Sequence, residues 1–353
     1  MVRMGTEFTV DFSLFYFADT GNATQNRYEL LLEGARFADV HGFSAVWTPE
    51  RHFHSFGGLY PNPAVTSAAV AAITERVSIR AGSVVAPLHH PVRIAEEWSV
   101  VDNLSGGRAG VSFASGWNAV DFALRPENFA DSKRVLVETV ETVRRLWRQE
   151  ELEFTDGTGA ASSVRIFPPP IQPELPIWLT SAGSIETFRQ AGELGVGVLT
   201  HLLGQDLDGL AGKIRAYRDT HAEHHGTRGH VALMLHTYIG TDRDEVRKLV
   251  HDPFSAYLRS SIGLFARAIS ADMPGVDLNR LTPADVDFII SRSFDRYFDT
   301  GGLFGTVQDA VKTVKALKDI DVDDLACLID FGLDTGVALE GLSRLDEVRR
   351  QQN

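Results

Sequence analysis

The feature that most limits what this chain can fold into is the alternation of short β-branched or aromatic runs with longer amphipathic stretches. In the long stretches apolar residues recur at helical spacing, as Leu136, Val140, Val143 and Trp147 do. Alternating strands and helices are typical of βαβ units, whose strands lie parallel in one sheet. The pattern therefore predicts an α/β fold built on a parallel sheet.

Eight strands and eight helices are predicted along the chain. The predicted strands cover residues 8–17, 43–47, 77–85, 108–115, 177–180, 196–200, 231–239 and 325–330. The predicted helices cover residues 25–41, 63–74, 92–104, a stretch beginning after Asp131, 184–194, 206–225, 307–320 and 337–350. Two segments interrupt the alternation: polar residues 151–170 predict an inserted hairpin or loop, and residues 252–303 predict a mostly helical insertion before strand eight.

Both an open, doubly wound sheet and a closed barrel alternate in this way. No G-x-G-x-x-G motif stands between a predicted strand and helix, as it would in an open dinucleotide-binding sheet. Eight repeats in 353 residues, without a linker-like segment, favour closure. We therefore predict a single (β/α)8 TIM barrel domain over residues 1–353, with the helical insertion before strand eight.

Charge and cysteine content exclude several classes of function. The 47 acidic and 34 basic residues give a net charge of -13, which disfavours nucleic acid and anionic membrane surfaces as partners. The single cysteine, Cys327, excludes an internal disulfide framework and a cysteine-based zinc cluster. The N-terminus lacks a signal-peptide pattern, and no apolar run is long enough to span a membrane. We expect a cytoplasmic protein.

In a barrel of this kind the chemistry lies just beyond the C-terminal ends of the strands. The segment after strand two holds Glu50, Arg51, His52 and His54. In one interpretation Arg51 pairs with Glu50 and the histidines are ordinary loop residues. In another, Arg51 and His52 face a cofactor or substrate, with His52 as an acid or base. A third would use His52, His54 and Asp330 as metal ligands.

Small and polar residues follow other predicted strands. Ser83 lies in a glycine- and alanine-rich strand that a flat ligand could approach closely, although the same composition fits a plain buried strand. Ser115 ends strand four, Asn118 follows it, and Thr200 ends strand six. The segment Ser181-Ala182-Gly183-Ser184 opens a helix, where backbone N–H groups suit a phosphate, although Ser184 would also serve as a simple N-cap.

With these residues in place, the chain resembles the luciferase-like flavin-dependent monooxygenases. The resemblance runs from Phe8 to about Leu339 and is carried by WTPERHFHSFGGLYPNP (47–63), AGSVVAPLHHPVRIAEEWSVVDNLSGGR (81–108) and SGWNAVDFALRPENFADSKR (115–134). The segments PELPIWLTSAGSIETFRQAGELGVGVLTHLLGQ (173–205) and PFSAYLRSS (253–261) are similar to the subgroup found in natural-product biosynthesis.

The resemblance implies a barrel that binds reduced FMN at its C-terminal mouth and reacts it with O₂ to a flavin C4a-hydroperoxide. It places Ser83 against the isoalloxazine ring, usually near a non-prolyl cis peptide, and places the phosphate at residues 181–184. Ser115 stands where luciferases proper carry a basic residue. With Asn118 and Thr200, these residues form the predicted cofactor site.

The chain departs from luciferases proper at Arg51, because two consecutive histidines follow the glutamate there and only His52 is kept here. Light emission is therefore not expected. Arg51 is too basic to act as a general base. Its predicted role is to stabilise a peroxide anion or to hold a substrate carboxylate or phosphate, and His52 is the predicted acid-base residue.

The predicted function is an FMNH₂- and O₂-dependent monooxygenase of secondary metabolism. Its implied partners are a separate flavin reductase and a small-molecule or carrier-protein-bound substrate. The alternatives are deazaflavin-dependent hydride transfer, a metal-dependent barrel hydrolase and a non-catalytic flavin-binding protein. The resemblance also implies a homodimer that pairs through predicted helices 25–41 and 63–74.

Overall fold

Eight parallel strands close into a barrel in the computed structural model, which describes residues 9–17, 26–55, 57–272 and 282–352. The barrel strands, in the order in which they pair, are β1 (Asp11–Phe15), β2 (Ala45–Thr48), β3 (Ser78–Val85), β4 (Ala109–Ala114), β7 (Ile177–Ser181), β8 (Gly197–His201), β9 (Val231–Gly240) and β11 (Asp324–Leu328). β11 pairs with β1 and closes the ring. The predicted (β/α)8 TIM barrel is confirmed; residues Phe8 and Gln25, where two predicted elements begin, lie outside the described residues.

Helices follow the barrel strands and cover the outside of the sheet. They are α1 (Glu29–His41), α2 (Pro63–Ala71), α3 (Pro91–Ser105), α4 (Ser132–Trp147), α5 (Ile185–Leu194), α6 (Leu207–His225), α9 (Val307–Asp319) and α10 (Thr335–Gln352). Local sequence sets their ends. Pro91 occupies the first turn of α3, Thr306 and Asp309 form a capping box on α9, and Gly42 ends α1 in the left-handed conformation.

Two insertions depart from the simple alternation. Strands β5 (Leu152–Thr155) and β6 (Ala161–Val164) form an antiparallel hairpin between α4 and β7. After β9 the chain forms α7 (Arg243–Asp272) and α8 (Pro283–Arg296), followed by a π-helical turn (Tyr297–Gly301). Helix α7 therefore begins well before residue 252, where the sequence pattern placed the start of this insertion; residues 273–281 lie outside the described part.

Strand β10 (Leu303–Thr306) was missed by the sequence analysis. It returns from the insertion and pairs in parallel with the C-terminal half of β9, from Thr237 to Gly240. A four-residue run that contains Gly305 is too short and too weakly β-forming to stand out in the sequence. Both ends of the insertion are therefore attached to one barrel strand.

Alternating residues of each strand face either the helices or the barrel interior. On β11, Leu325 and Cys327 pack with the outer layer, whereas Ala326 and Leu328 pack with the inner cluster. The inner cluster continues upward into the insertion through aromatic side chains of α7, α8, the π-helical turn and β10, namely Phe254, Phe294, Phe298 and Phe304. The insertion thus forms an aromatic cover over one side of the barrel mouth.

A charged pair fills the other, N-terminal end of the barrel. Arg80 Nη1 donates to Asp324 Oδ2 at 2.8 Å, and Ser13 Oγ donates to Asp324 Oδ1 at 2.7 Å. The Arg80 guanidinium lies between Trp47 and Trp178, 4.9 and 4.7 Å from their ring centroids. Among the described residues, these side chains close this end of the barrel, so we expect a ligand at the C-terminal end.

None of the helices in the described part of the chain is both long and apolar enough to cross a membrane.

Candidate active site

The loops after β2 and β3 meet at the buried carboxylate of Glu50. Oε1 of Glu50 lies 2.7 Å from His52 Nε2 and 2.6 Å from His89 Nε2, and Oε2 accepts the backbone N–H of Val85 at 2.7 Å. Burial alone raises the pKa of Glu50, but the hydrogen bonds from His52 and His89 outweigh burial and leave that pKa below its usual value. An ionised carboxylate only accepts hydrogen bonds, so both Nε2 atoms carry a hydrogen.

His89 gives this cluster a route to solvent. Its side chain is 27% exposed, against 11% for His52 and none for Glu50. Burial lowers the pKa of His89, but the hydrogen bond to Glu50 and the carboxylate charge raise it above its ordinary value. The sequence analysis selected His52 and did not identify Glu50 as the centre or His89 as its second partner. The position of His89 just beyond a strand end was the signal available for finding it.

Arg51 is buried beside this cluster without pairing to Glu50, so the interpretation of an Arg51–Glu50 pair is wrong. Only 4% of the residue is exposed, and Nε and Nη2 have no hydrogen-bond partner among the described residues. The guanidinium lies 4.9 Å from the Trp117 ring centroid and 5.6 Å from that of Phe17. Burial lowers the pKa of Arg51, and the nearby Asp121 partly opposes this. The site thus holds a desolvated cation with unused donors.

The loop after β4 positions groups around Arg51. It supplies the exposed ring of Trp117 and the buried Asp121. Asn118 Nδ2 donates to Asp121 Oδ1 at 2.8 Å, so the amide of Asn118 orients this carboxylate. Ser115, at the start of the loop, is half-buried.

Ser83 faces hydroxyl groups on two neighbouring strands. Its Oγ hydrogen-bonds Thr180 Oγ1, which lies 2.7 Å from Ser112 Oγ. The peptide bond between Gly82 and Ser83 is cis, as the family resemblance implies for this position. Gly82 packs so closely on Phe15 that a Cβ there would lie 2.5 Å from Phe15 Cε2. Ser83, Thr180 and Ser112 thus form a hydrogen-bonded set of hydroxyl groups on β3, β7 and β4.

The Ser181–Ser184 turn opens helix α5. Ser181 Oγ accepts the N–H of Gly183 at 3.2 Å, and Thr200 Oγ1 donates to the Ser181 carbonyl at 2.9 Å. The side chain of Ser184, the N-cap, makes no capping hydrogen bond and donates instead to Glu186 at 3.2 Å. Ala182 and Ser184 are exposed. The first-turn N–H groups of α5 therefore lack a side-chain cap.

Lys213 of helix α6 brings a positive charge to this turn. Its Nζ donates to Gln205 Oε1 at 2.7 Å, and a Cβ added to Gly183 would lie 3.2 Å from Nζ. Gly183 has φ of +115°, a conformation that favours glycine. The sequence analysis missed Lys213, because a lysine within an amphipathic helix resembles any surface charge.

The set of metal ligands considered from the sequence, His52, His54 and Asp330, is wrong. Among the described residues, the group whose ligand atoms lie within 4.8 Å of one another is Glu50, His52 and His89. His54 does not join it, and Asp330 accepts a hydrogen bond from Tyr60 at 3.4 Å. The Glu50 cluster is already explained by its hydrogen bonds.

A cavity of about 60 Å³ lies on the opposite side of the barrel mouth, between the ends of β8 and β9 and the insertion. Its lining consists of His201, Leu202, Leu203, Met234, His236, Tyr257, Leu258, Tyr297 and Gly301. Tyr257, one of these lining residues, acts electrostatically on Arg51. Neither His201 nor His236 was singled out from the sequence.

The family model for luciferase-like monooxygenases matches residues 9–323 of this (β/α)8 barrel. The chain belongs to the luciferase-like monooxygenase family, which confirms the resemblance seen in the sequence.

One of the similar proteins and a solved structure cover nearly the whole chain, and a second relative covers 64% of it. The oxygenase component of a flavin-dependent trigonelline monooxygenase from Acinetobacter baylyi is 24% identical over 93% of this chain and 90% of its own. The 4-hydroxyprotoasukamycin monooxygenase of Streptomyces nodosus subsp. asukaensis is 26% identical over 64% of this chain and 63% of its own. The oxygenating constituent of 3,6-diketocamphane monooxygenase from Pseudomonas putida, in complex with FMN, matches in fold with a TM-score of 0.77, covering 98% and 99% of the two chains at 17% identity.

Proposed function

We propose that this protein is an FMNH₂- and O₂-dependent monooxygenase that acts on a secondary-metabolite intermediate. The observation that carries the proposal is the buried guanidinium of Arg51, which lies beside the Glu50–His52–His89 cluster. Two of its nitrogens have no hydrogen-bond partner in the part of the chain that the structure describes. A desolvated cation of this kind requires an anionic or strongly accepting partner from a bound molecule. Oxygen transfer from a flavin provides such a partner at the mouth of the barrel.

The residues present fit FMN. The phosphate would bind at the uncapped start of α5, where Lys213 supplies the charge that Ser115 lacks. The isoalloxazine ring would lie against Ser83 and the small residues of β3. Asn118 and Thr200 would support the site by holding Asp121 and the Ser181 turn. Bound reduced FMN would supply the electrons and activate O₂.

Two residues carry the proposed roles in the reaction. His52 would donate or accept a proton, since its Nε2–H points to Glu50 and exchange through His89 leads towards solvent. Arg51 would either stabilise developing negative charge or hold a substrate carboxylate or phosphate. Trp117 and the insertion would exclude water from both groups.

The partners are also part of the proposal. The name "oxygenase component" of the Acinetobacter relative supports a separate flavin reductase. The relative that acts on 4-hydroxyprotoasukamycin supports a secondary-metabolite substrate, free or bound to a carrier protein. We further propose a cytoplasmic homodimer that pairs through α1 and α2, where Val65 is exposed. Sedimentation that shows only monomer at micromolar concentration would contradict the dimer.

The test is anaerobic titration with reduced FMN followed by rapid mixing with O₂. We expect saturable binding of reduced FMN, weaker binding of oxidised FMN, and a transient absorbance that differs from both flavin forms. The matched control is Arg145→Met, on the exposed surface far from the mouth, which we expect to behave as wild type. Reoxidation at the rate of free FMN would overturn the proposal. Oxidation of substrate by deazaflavin without O₂ would replace it with hydride transfer.

A further inference from the structure

We propose that the cavity between β8, β9 and the insertion is a substrate-binding pocket that takes the uncharged, hydroxyl-bearing end of an otherwise apolar substrate, with His236 as its hydrogen-bond partner. The identification of the ligand as a substrate rests on the proposed function, whereas the pocket rests on the residues that line it. It lies at the same barrel mouth as Arg51, on which its lining residue Tyr257 acts electrostatically.

The first support is an unused polar atom. His236 is only 6% exposed, and its Nε2 has no hydrogen-bond partner among the described residues. Aromatic rings of Phe254, Tyr257 and Tyr297 surround it, with centroids 4.8, 5.0 and 5.4 Å from the imidazole. Buried polar groups in native proteins almost always have a partner, so this nitrogen calls for one from a bound molecule.

The second support is the charge of the lining. No Asp, Glu, Lys or Arg occurs among the described residues that line the cavity. Burial lowers the pKa of His201 to about 4 and that of His236 to about 3, so both rings are neutral near pH 7. A charged ligand would lose its hydration here without gaining a counter-charge. The pocket therefore selects an uncharged group.

The third support comes from the donors and acceptors. His201 Nδ1 accepts the N–H of Leu203 at 3.1 Å, so its ring hydrogen lies on Nε2. His236 Nε2 can donate or accept, depending on the tautomer. A hydroxyl both donates and accepts, so it matches either tautomer. A ketone would match only one of them.

The size of the cavity limits what enters. A volume of about 60 Å³ exceeds the roughly 10–15 Å³ that one water needs and is smaller than the about 150 Å³ cavity known to hold benzene. The pocket therefore takes one end of a molecule, while the remainder extends into the barrel mouth towards Arg51. Leu202, Leu258 and Met234 provide apolar contacts for that end.

The experiment measures binding of phenol, toluene and N-methylpyridinium to the protein without flavin, by calorimetry and by NMR of labelled histidine rings. These probes are close in size and differ in hydroxyl and charge. The cavity is too small for a whole ring, so each probe would enter by its substituted end while the ring extends towards the barrel mouth. We expect phenol to bind at least about threefold more tightly than toluene, the gain typical of one hydrogen bond, and to shift the His236 ring signals. We expect no binding of N-methylpyridinium in the pocket.

Variants separate the hydrogen bond from packing. His236→Phe is expected to reduce the phenol-to-toluene ratio to about one while toluene still binds. His224→Phe, at an exposed histidine of α6, is the matched control and is expected to keep the wild-type ratio. The inference would be overturned by any of three results: His236 signals that do not move at saturating phenol, equal affinities for phenol and toluene, or tighter binding of N-methylpyridinium than of phenol. Because flavin is absent, failure here is distinguishable from failure of the proposed oxygenase activity.

Discussion

Burial of the Arg51 guanidinium costs folding free energy, but it also places a cation where a ligand can bind. Its guanidinium is buried, and two of its nitrogens have no hydrogen-bond partner among the described residues. The aromatic faces of Trp117 and Phe17 offset part of the desolvation. The remaining cost is recovered only when a ligand supplies an acceptor.

Substitution of Arg51 distinguishes its two possible roles. Arg51→Lys keeps the charge but loses the planar fork, so a substrate-holding Arg51 predicts a raised KM with little change in kcat. A charge-stabilising Arg51 predicts instead faster H₂O₂ release in the absence of substrate. Steady-state kinetics and peroxide assays measure both. Wild-type KM and wild-type coupling in Arg51→Lys would remove Arg51 from the proposed machinery.

The pairing of His89 with Glu50 predicts a pH dependence of stability. The folded pKa of His89 is raised above its ordinary 6.5, so its contribution is complete below pH 6.5 and is lost as pH rises through the folded value. The folded pKa of Glu50 is lowered from 4.5, so its contribution is present above pH 4.5 and is lost as pH falls through the folded value.

We therefore expect His89→Gln to destabilise the protein more at pH 5.5 than at pH 8.5. Urea unfolding at the two pH values gives the two differences in free energy. His224→Gln, at an exposed histidine remote from Glu50, is the control. A larger effect of His89→Gln at pH 8.5 than at pH 5.5 would contradict the pairing as the source of its stability.

For single residues, the sequence predicted which positions lie at the site better than it predicted their hydrogen-bond partners. His52 and Arg51 follow a buried strand, and the barrel rule alone selects such positions. The hydrogen bonds of Glu50 depend on the side chain of His89, which lies 39 residues away in the chain. No local pattern encodes that contact, and for the same reason the metal set of His52, His54 and Asp330 was wrong.

Among the elements, the contact between α5 and α6 determines the proposed phosphate site. Helix α5 provides the uncapped N–H groups, and α6 provides Lys213 at the height of Gly183. The positive φ at 183 favours glycine, and a Cβ there would lie 3.2 Å from the lysine Nζ. The site therefore depends on helix packing as much as on the turn.

We expect Lys213→Met to weaken FMN binding by roughly tenfold, the loss typical of a hydrogen bond to a charged group. Riboflavin, which has no phosphate, is expected to bind equally well to wild type and variant. Fluorescence titration of both flavins measures the two affinities. Arg215→Met, at an exposed arginine of the same helix, is the control. Equal losses for FMN and riboflavin would place Lys213 outside the phosphate site.

Elements were predictable where burial imposes a periodic pattern. The barrel strands are short apolar runs because both of their faces are buried, and that pattern is visible in the sequence. Strand β10 is not visible, because its four residues depend on pairing with β9 rather than on their own propensity. The start of α7 at Arg243 was missed for a similar reason, since polar residues form its first turn.

For the whole molecule, the Arg80–Asp324 pair is the clearest internal constraint on the barrel. It joins β3 to β11 across the interior, and the Asp324 side chain is fully buried. Ser13 and Ser44 complete the hydrogen bonds of this carboxylate. Strand alternation predicts that the barrel closes, but not which polar groups fill its N-terminal end.

We expect Asp324→Ala to destabilise the protein by about 3–5 kcal/mol, because it leaves the Arg80 charge buried without a partner. Glu174→Ala, which removes an exposed pair with Arg148, is expected to cost at most about 1 kcal/mol. Unfolding midpoints in urea compare the two variants. Equal effects would show that the interior pair does not hold the barrel together.

The buried Cys327 also determines how the protein can be studied with fluorophores. It is the only cysteine in the sequence, and burial raises the pKa of its thiol to about 12. Thiol reagents attack the thiolate, so Cys327 does not compete for label in the folded protein. A cysteine introduced on α8, as in Phe288→Cys at an exposed position, would be the one thiol that reacts. A single site on the insertion above the barrel mouth can thus be labelled without first replacing Cys327.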